Sequence, residues 1–181
     1  MTKGFEIKIL RTEQTCPDPI RDTCLAGALR VTINGTVVVD DDDFGVAPSA
    51  LALLRTIDRE HHASSPVIFG SYLLSHDCGF PFFGCGNYGA NWAVSHRDGV
   101  VHISDVENYT SHPIVRHLRF PSAETDLPLA TYRDEVIRFA LAARVAYFAD
   151  GDRQIADADE RSDYEAFWRE YDDLVPPHAQ P

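Results

Sequence analysis

Apolar and polar residues alternate with a period of two along much of the first part of the chain, the pattern of half-buried β-strands. The alternation runs from Phe5 to Leu10, the strand pattern resumes from Ala28 to Ile33, and Thr36 to Val39 returns as the partner strand. Asn34-Gly35 separates the last two segments and favours a tight type I′ turn, because both residues of that turn take positive φ. The sequence therefore predicts an antiparallel hairpin near its start.

Further strands are predicted in the middle of the chain. Val67 to Leu74 is apolar and aromatic enough for a central strand, and Asn91 to His96 and Val100 to Ser104 flank a second turn signal at Asp98-Gly99. Ile114 to Phe120 alternates with mixed polarity, which is typical of an edge strand. The intervening segment from Ser75 to Trp92 is rich in glycine and is interpreted as a bent loop joining two strands.

The period changes to that of amphipathic helices at three places. A short helix is predicted after Pro48, and a long one follows Thr131, where Thr131 and Asp134 approximate a capping box. A last helix is predicted from a second box, Ser162 with Glu165, until the prolines that follow Leu174. The long helix carries an apolar stripe of Tyr132, Val136, Phe139, Ala140, Ala143 and Tyr147.

This order of elements predicts an α+β fold. Strands with one short early helix precede two C-terminal helices, which favours a mainly antiparallel sheet with the helices packed on one face. Residues 1–175 are expected to form a single domain and residues 176–181 a disordered tail.

The charge of the chain narrows the classes of partner. Its 181 residues include 28 acidic and 16 basic side chains, for a net charge of −12. Such a charge disfavours binding to nucleic acid and to anionic membranes, because both are polyanions, and it favours a basic protein partner. The first residues lack the apolar run of a signal peptide, so a cytoplasmic location is expected.

The Ser75 to Trp92 segment also holds the side chains best suited to metal binding. His76, Cys78 and Cys85, with His96 as a fourth ligand, offer the nitrogen and sulfur donors that tetrahedral zinc prefers. The six residues between the cysteines exceed the two to four of common zinc knuckles, so spacing alone does not establish the site.

Two other interpretations of the same segment stay open beside a purely structural one. Cys85 or Cys78 is a candidate catalytic nucleophile with His76, His96 or His102 as base, since glycines flank Cys85 and leave it sterically open. Alternatively, an aromatic patch binds a partner, and its members are Phe80, Phe82, Phe83, Tyr88 and Trp92. The structural alternative is a well-packed connection in which cysteines and aromatics are buried and glycines allow turns.

Around Cys78-Gly79 and Gly84-Cys85 the chain resembles a loosely defined group of small, uncharacterised bacterial proteins with a C-x-C-G-x-x-G-C turn. The resemblance covers about a third of the chain. His76 stands where that group has its first cysteine, an exchange that a zinc site tolerates, while Phe80 to Phe83 forms a larger insert. The group has no established activity, so the resemblance implies no function.

The leading hypothesis is a non-enzymatic, acidic, cytosolic interaction protein of the immunity or inhibitor kind that binds a basic partner. The alternative is a metal- or thiol-dependent enzyme with its site at His76, Cys78 and Cys85.

Overall fold

Two antiparallel sheets and three α-helices form the part of the chain that the structure describes. The computed structural model describes residues 4–14, 16–21, 23–63, 72–78, 83–110 and 116–175. In that part, one early helix and two C-terminal helices accompany the strands. The predicted α+β class is confirmed, and the strands divide between two sheets.

The first sheet contains three strands in the order of the chain. They are β1 (Phe5–Glu13), β2 (Ala26–Ile33) and β3 (Thr36–Gly45), and each pairs antiparallel with the next. The β2–β3 turn has φ of 50° at Asn34 and 76° at Gly35, so the predicted type of hairpin turn is confirmed.

The second sheet has the order β4-β5-β6-β7, and β8 pairs with β6 as well. Its strands are β4 (Leu74–Cys78), β5 (Phe83–Arg97), β6 (Val100–Thr110), β7 (Arg116–Arg119) and β8 (Thr125–Pro128). The β5–β6 turn again has positive φ, 51° at Asp98 and 77° at Gly99, which confirms the second predicted hairpin. Most of the predicted strand from Val67 to Leu74 lies outside the described residues.

Three helices follow the predicted segments but begin at other residues. They are α1 (Val46–Arg55), α2 (Leu129–Tyr147) and α3 (Ala158–Leu174), and short 3₁₀ turns occur at Pro19–Arg21 and Pro121–Ala123. Both predicted capping boxes are wrong, because Thr131 and Ser162 lie inside their helices. The N-cap of α3 is Asp157, whose side chain accepts hydrogen bonds from the Asp159 and Glu160 amides. No described helix is both long enough and apolar enough to cross a membrane.

The core forms where the two sheets and α2 meet. Phe5 of β1 lies edge-on to Trp92 of β5, with ring centroids 5.8 Å apart, and it also contacts Tyr132 of α2 at 5.1 Å. The Tyr132 hydroxyl lies 2.6 Å from the Thr56 hydroxyl, and burial raises the pKa of Tyr132 to about 12. The predicted apolar stripe of α2 is therefore the face that this helix buries.

The outer edge of β1 is covered by two side chains of α2. The buried Glu135 carboxylate accepts a hydrogen bond from the Ile7 amide at 2.9 Å, and Arg138 donates to the Ile7 carbonyl at 2.5 Å. Arg138 also bonds Glu135, so the two form an ion pair. Together they satisfy the amide and the carbonyl of Ile7, two edge groups that another strand would otherwise pair with.

The last helix packs against both of the others. The Tyr171 hydroxyl donates to the Ala140 carbonyl in α2 at 2.7 Å, and the Trp168 ring lies 4.9 Å from that of Tyr147. Arg55 of α1 binds both carboxylate oxygens of Glu170, at 2.8 and 2.6 Å. These contacts fix which face of α3 is turned outward.

Candidate functional site

The segment that carries the predicted metal ligands is largely a β-hairpin. β4 runs to Cys78 and β5 begins at Phe83, and these two residues face each other in the ladder, as do Asp77 and Gly84. The prediction of a bent loop throughout Ser75 to Trp92 is therefore wrong, because both strands extend into it. The residues that join the strands, 79–82, lie outside the described residues.

The β4–β5 hairpin is irregular where it carries His76 and Cys85, because the step from Ser75 to Asp77 in β4 lies opposite the five positions from Gly89 to Gly84 in β5. His76 and Cys85 each adjoin the paired Asp77 and Gly84, and Cys85 lies two positions beyond the residue opposite Cys78. Diagonal neighbours such as Cys78 and Cys85 are roughly 7–8 Å apart on regularly paired strands, whereas His76 and Cys85 lie in the irregular part and have no ladder partner. Because the three side chains lie outside what the structure describes, metal binding and nucleophilic catalysis at this hairpin both stay hypotheses.

His96, the fourth predicted ligand, lies at the other end of β5. It lies eleven positions after Cys85, and the extended part of β5 from Gly89 to His96, at about 3.3 Å per residue, alone carries it roughly 20 Å away. Its Nε2 instead donates a hydrogen bond to the Thr56 carbonyl at 3.0 Å. His96 therefore does not complete a metal site with Cys85.

Two of the five aromatic residues predicted to contact a partner have described side chains. Trp92 is fully buried in the core. It is therefore unavailable to a partner, and its assignment to a binding patch is wrong. Tyr88 is 37% exposed. The other three, Phe80, Phe82 and Phe83, fall on residues or side chains outside the described part of the chain.

A cleft opens on the second sheet, beside the pairing of β6 with β7. It encloses about 380 Å³. The polar and aromatic residues around it come from β6, β7 and the 3₁₀ turn that follows, and they are Asp105, Glu107, Arg119, Phe120 and Glu124. Asp105 lies where β6 has one extra residue relative to β5, and its φ of 50° marks a β-bulge.

Glu107 is the buried carboxylate of this cleft. The residue is 9% exposed, and its Oε2 accepts a hydrogen bond from His117 Nε2 at 2.8 Å. The ring of Tyr109 packs 5.2 Å from the His117 ring. Among the described residues, Oε1 of Glu107 has no hydrogen-bond partner. One oxygen of a fixed carboxylate thus stays available beside the cleft.

His61 and Asn91 form a second buried polar contact, at the opposite edge of β5. His61 exchanges backbone hydrogen bonds with Val94, and its Nε2 lies 2.8 Å from Asn91 Oδ1. The same oxygen accepts a hydrogen bond from the Leu73 amide at 3.3 Å, so Nε2 of His61 is the donor. Burial lowers the pKa of His61, which favours the neutral ring.

Acidification is expected to destabilise the fold through His61. Because its folded pKa lies below the unfolded value of 6.5, the unfolded chain binds more protons as the pH falls through that value, and stability falls with it. His61→Gln retains a donor for Asn91 and should flatten this part of the profile of unfolding free energy against pH. His62→Gln, at an exposed neighbouring position, serves as the control and should change the profile much less, because the charge of His62 contributes less than burial to the lowered pKa of His61. Identical profiles for wild type and His61→Gln would show that protonation of His61 does not destabilise the fold.

Three strands also align Ser95, His102 and Asp126 in one row. Ser95 faces His102 across β5 and β6, and His102 faces Asp126 across β6 and β8. His102 Nδ1 donates to Asp126 at 2.7 Å, but within the described part of the chain Ser95 makes no hydrogen bond to His102. The row is therefore a cross-strand polar pair with a serine beside it, and not an assembled catalytic triad.

The outward face of α3 carries a line of carboxylates that we call the acidic stripe: Asp159, Asp163, Glu170 and Asp173. At about 100° per residue, all four lie within roughly a quarter turn, opposite the buried Trp168 and Tyr171. The helix as a whole holds seven acidic residues and two arginines. Glu170 pairs with Arg55, while the other three members form no ion pair with any described residue.

Searches of protein families, curated proteins and solved structures find no match to this chain. Among the side chains that the structure describes, no three of His, Cys, Asp or Glu are grouped to hold a metal ion. Function is therefore inferred from the surfaces themselves.

Sequence reasoning missed both the cleft and the acidic stripe. The cleft depends on Glu107 facing Arg119 across β6 and β7, a pairing that periodicity does not specify. The helical spacing of Asp159, Asp163 and Asp173 could have indicated the acidic stripe. The predicted helix began at Ser162, however, and therefore did not include Asp159.

Proposed function

We propose that this chain is a non-enzymatic interaction protein of the cytoplasm, of the immunity or inhibitor kind, that binds a basic partner protein through the acidic stripe of α3. The observation that supports this proposal is the outward position of three of its carboxylates, Asp159, Asp163 and Asp173, which form no ion pair with any described residue. A surface of one sign accelerates and orients encounter with a partner of the other sign.

The electrostatics of α3 favour a cationic partner. Asp159 and Asp163 are four residues apart, a spacing at which like charges repel and destabilise a helix by roughly 0.2–0.5 kcal/mol. Asp173 lies in the last turn, which contains no basic residue, where a negative charge is unfavourable beside the helix carbonyls. A basic protein surface would relieve both repulsions. The same charges would repel nucleic acid and anionic lipid.

The proposal predicts that neutralising the acidic stripe releases the partner. The test variant combines Asp159→Asn, Asp163→Asn and Asp173→Asn. The control combines Glu13→Gln, Asp98→Asn and Asp134→Asn, which removes the same charge from exposed positions outside α3. In capture from a native lysate, we expect a basic protein to be retained by wild type and control and lost from the α3 variant.

Equal retention by all three proteins would place the binding surface elsewhere. Failure to capture any protein, together with turnover of a small molecule by the purified chain, would overturn the proposal. Circular dichroism of the α3 variant shows whether its helix content is intact.

A second candidate function is a metal- or thiol-dependent enzyme at His76, Cys78 and Cys85. The β4–β5 hairpin favours it, because His76 and Cys85 each adjoin the paired Asp77 and Gly84, and Cys78 follows Asp77. Zinc content separates the two functions: about one equivalent, lost in His76→Ala, supports the metal site. Alkylation mapped by mass spectrometry would identify a reactive Cys85, since reactivity follows thiolate fraction and exposure.

A further inference from the structure

We propose that Asp42 of β3 and Asn108 of β6 form a proton-dependent junction between the two sheets, in which Asp42 takes part as the neutral carboxylic acid. Two antiparallel hydrogen bonds would hold this acid–amide pair, one from the Asn108 nitrogen to the carboxyl group and one from the carboxyl O–H to the Asn108 oxygen. Loss of the proton removes the second bond and weakens the junction.

A β-bulge turns Asp42 toward the second sheet. Asp41 has a φ of 68° and is the extra residue that the β2–β3 ladder skips, so that Asp42 faces Leu29. Leu29 is fully buried, and residues directly opposite each other in a ladder project from the same face of the sheet. One member of the acidic run is thereby placed on the inner face, where it meets Asn108.

Asn108 is oriented by the backbone carbonyl of Val38. Its Nδ2 lies 3.0 Å from the Val38 oxygen and 3.0 Å from Oδ2 of Asp42. A carbonyl can only accept, so the atom of Asn108 that faces it must be the amide nitrogen. Asn108 is 3% exposed, and its Oδ1 is buried with no hydrogen-bond partner among the described residues. A buried acceptor in this state requires a donor.

Asp42 can supply that donor if it is protonated. Its Oδ2 already accepts from the Asn108 nitrogen, so the carboxyl and carboxamide groups lie side by side. An ionised carboxylate only accepts, whereas a carboxylic acid has one O–H to donate. A proton on Oδ1 of Asp42 would satisfy Oδ1 of Asn108 and leave the existing hydrogen bond in place.

The setting of Asp42 favours the proton-bound form. Burial raises the pKa of Asp42, and the hydrogen bond from Asn108 lowers it by a smaller amount. Repulsion by three neighbouring carboxylates of β3 raises the pKa further, and these are Asp40, Asp43 and Asp41. Charge and burial therefore act in the same direction as the unpartnered oxygen of Asn108.

The arginines of the first sheet are paired with the neighbours of Asp42. Arg30 of β2 pairs with Asp40, and Arg11 of β1 pairs with the other two. The remaining charged side chains described on elements that contact β3 form neither an ion pair nor a hydrogen bond with Asp42, and they are Arg55, His96, Arg97, His102, Asp105 and Glu107. The side chains of His76 and Asp77 on β4 lie outside the described part. Among the described groups, only a proton can neutralise Asp42.

The pair should make stability fall as the pH rises. Because the folded pKa of Asp42 lies above the ordinary value of 3.8, its contribution is fully present below 3.8 and is lost as the pH rises through the folded pKa. This direction is opposite to that expected for His61, so the two effects are distinguishable in one profile.

Carbon-detected NMR of the wild-type protein tests the pair directly. The carboxyl ¹³C signal of Asp42 is identified by its absence from Asp42→Asn, and its titration midpoint should lie above 3.8. The side-chain amide signals of Asn108 should shift with the same midpoint, while those of Asn34, at the exposed β2–β3 turn, should not. A midpoint at or below 3.8, or Asn108 signals that do not respond, would overturn the inference.

Two variants separate pairing from the mere removal of charge. Asp42→Asn imitates the acid, because its amide can accept from the Asn108 nitrogen and donate to the Asn108 oxygen. Its stability advantage over wild type should grow as the pH rises, whereas Asp134→Asn, at an exposed position of α2, should keep the wild-type profile. Asp42→Ala removes the charge without supplying a donor and should be less stable than Asp42→Asn. Equal stability of the two Asp42 variants, or a wild-type profile in Asp42→Asn, would contradict the acid–amide pair.

Discussion

Replacing Trp92 with alanine is expected to lower the free energy of unfolding by about 3–5 kcal/mol, the usual cost of truncating a large buried aromatic side chain. Trp92 is fully buried and joins the second sheet to Phe5 of the first. Its loss would open a cavity where two sheets and α2 meet. Urea denaturation followed by far-ultraviolet circular dichroism measures the change without relying on tryptophan fluorescence.

Tyr88→Ala is the matched control for this experiment. Tyr88 belongs to the same strand and the same predicted aromatic patch, but it is 37% exposed. Its truncation should cost less than about 1 kcal/mol, as surface substitutions usually do. Similar losses of stability in the two variants would contradict the division of the patch into a core residue and a surface residue.

Glu135→Ala is expected to lower the free energy of unfolding by about 2–3 kcal/mol, because it leaves the Ile7 amide without its acceptor and removes the carboxylate that pairs with Arg138. This loss is smaller than that expected on breaking a fully buried ion pair, because the Arg138 side chain is 47% exposed and can be solvated. Denaturant unfolding gives the global effect. Hydrogen exchange at the Ile7 amide gives the local one.

Glu135→Gln isolates the contribution of charge at this position. It retains an oxygen that can accept from the Ile7 amide, so exchange at that amide should stay slow while part of the stability is lost. Fast exchange in Glu135→Gln, or slow exchange in Glu135→Ala, would show that the carboxylate does not protect the edge of β1.

Local patterns in the sequence predicted the elements more successfully than their boundaries. Asn34-Gly35 specifies its turn because few residues adopt positive φ, and the structure confirms it. The start of α3 was misplaced because Ser162 and Glu165 have capping-box spacing inside a continuing helix. Only the hydrogen bonds that Asp157 accepts distinguish the true cap.

The candidate sites were harder to predict than the elements, because they depend on which strands pair and in which register. Alternation along β5 already places Trp92, Val94 and His96 on one face, and the burial of Trp92 and Val94 shows that this face is the inner one. The cleft, by contrast, requires the bulge at Asp105 and the pairing of β6 with β7, which bring together residues far apart in the chain. The alternation of residues within one strand does not specify how β6 and β7 pair.

The most direct test of the central claim is calorimetric titration of the captured partner into wild type, the α3 variant and the charge-matched control. If the acidic stripe is the binding surface, the α3 variant should lose about 10- to 100-fold in affinity, or about 1.4–2.7 kcal/mol, and the control should stay within about threefold of wild type. An α3 variant that binds as tightly as wild type, or a control that loses as much as the α3 variant, would contradict the claim.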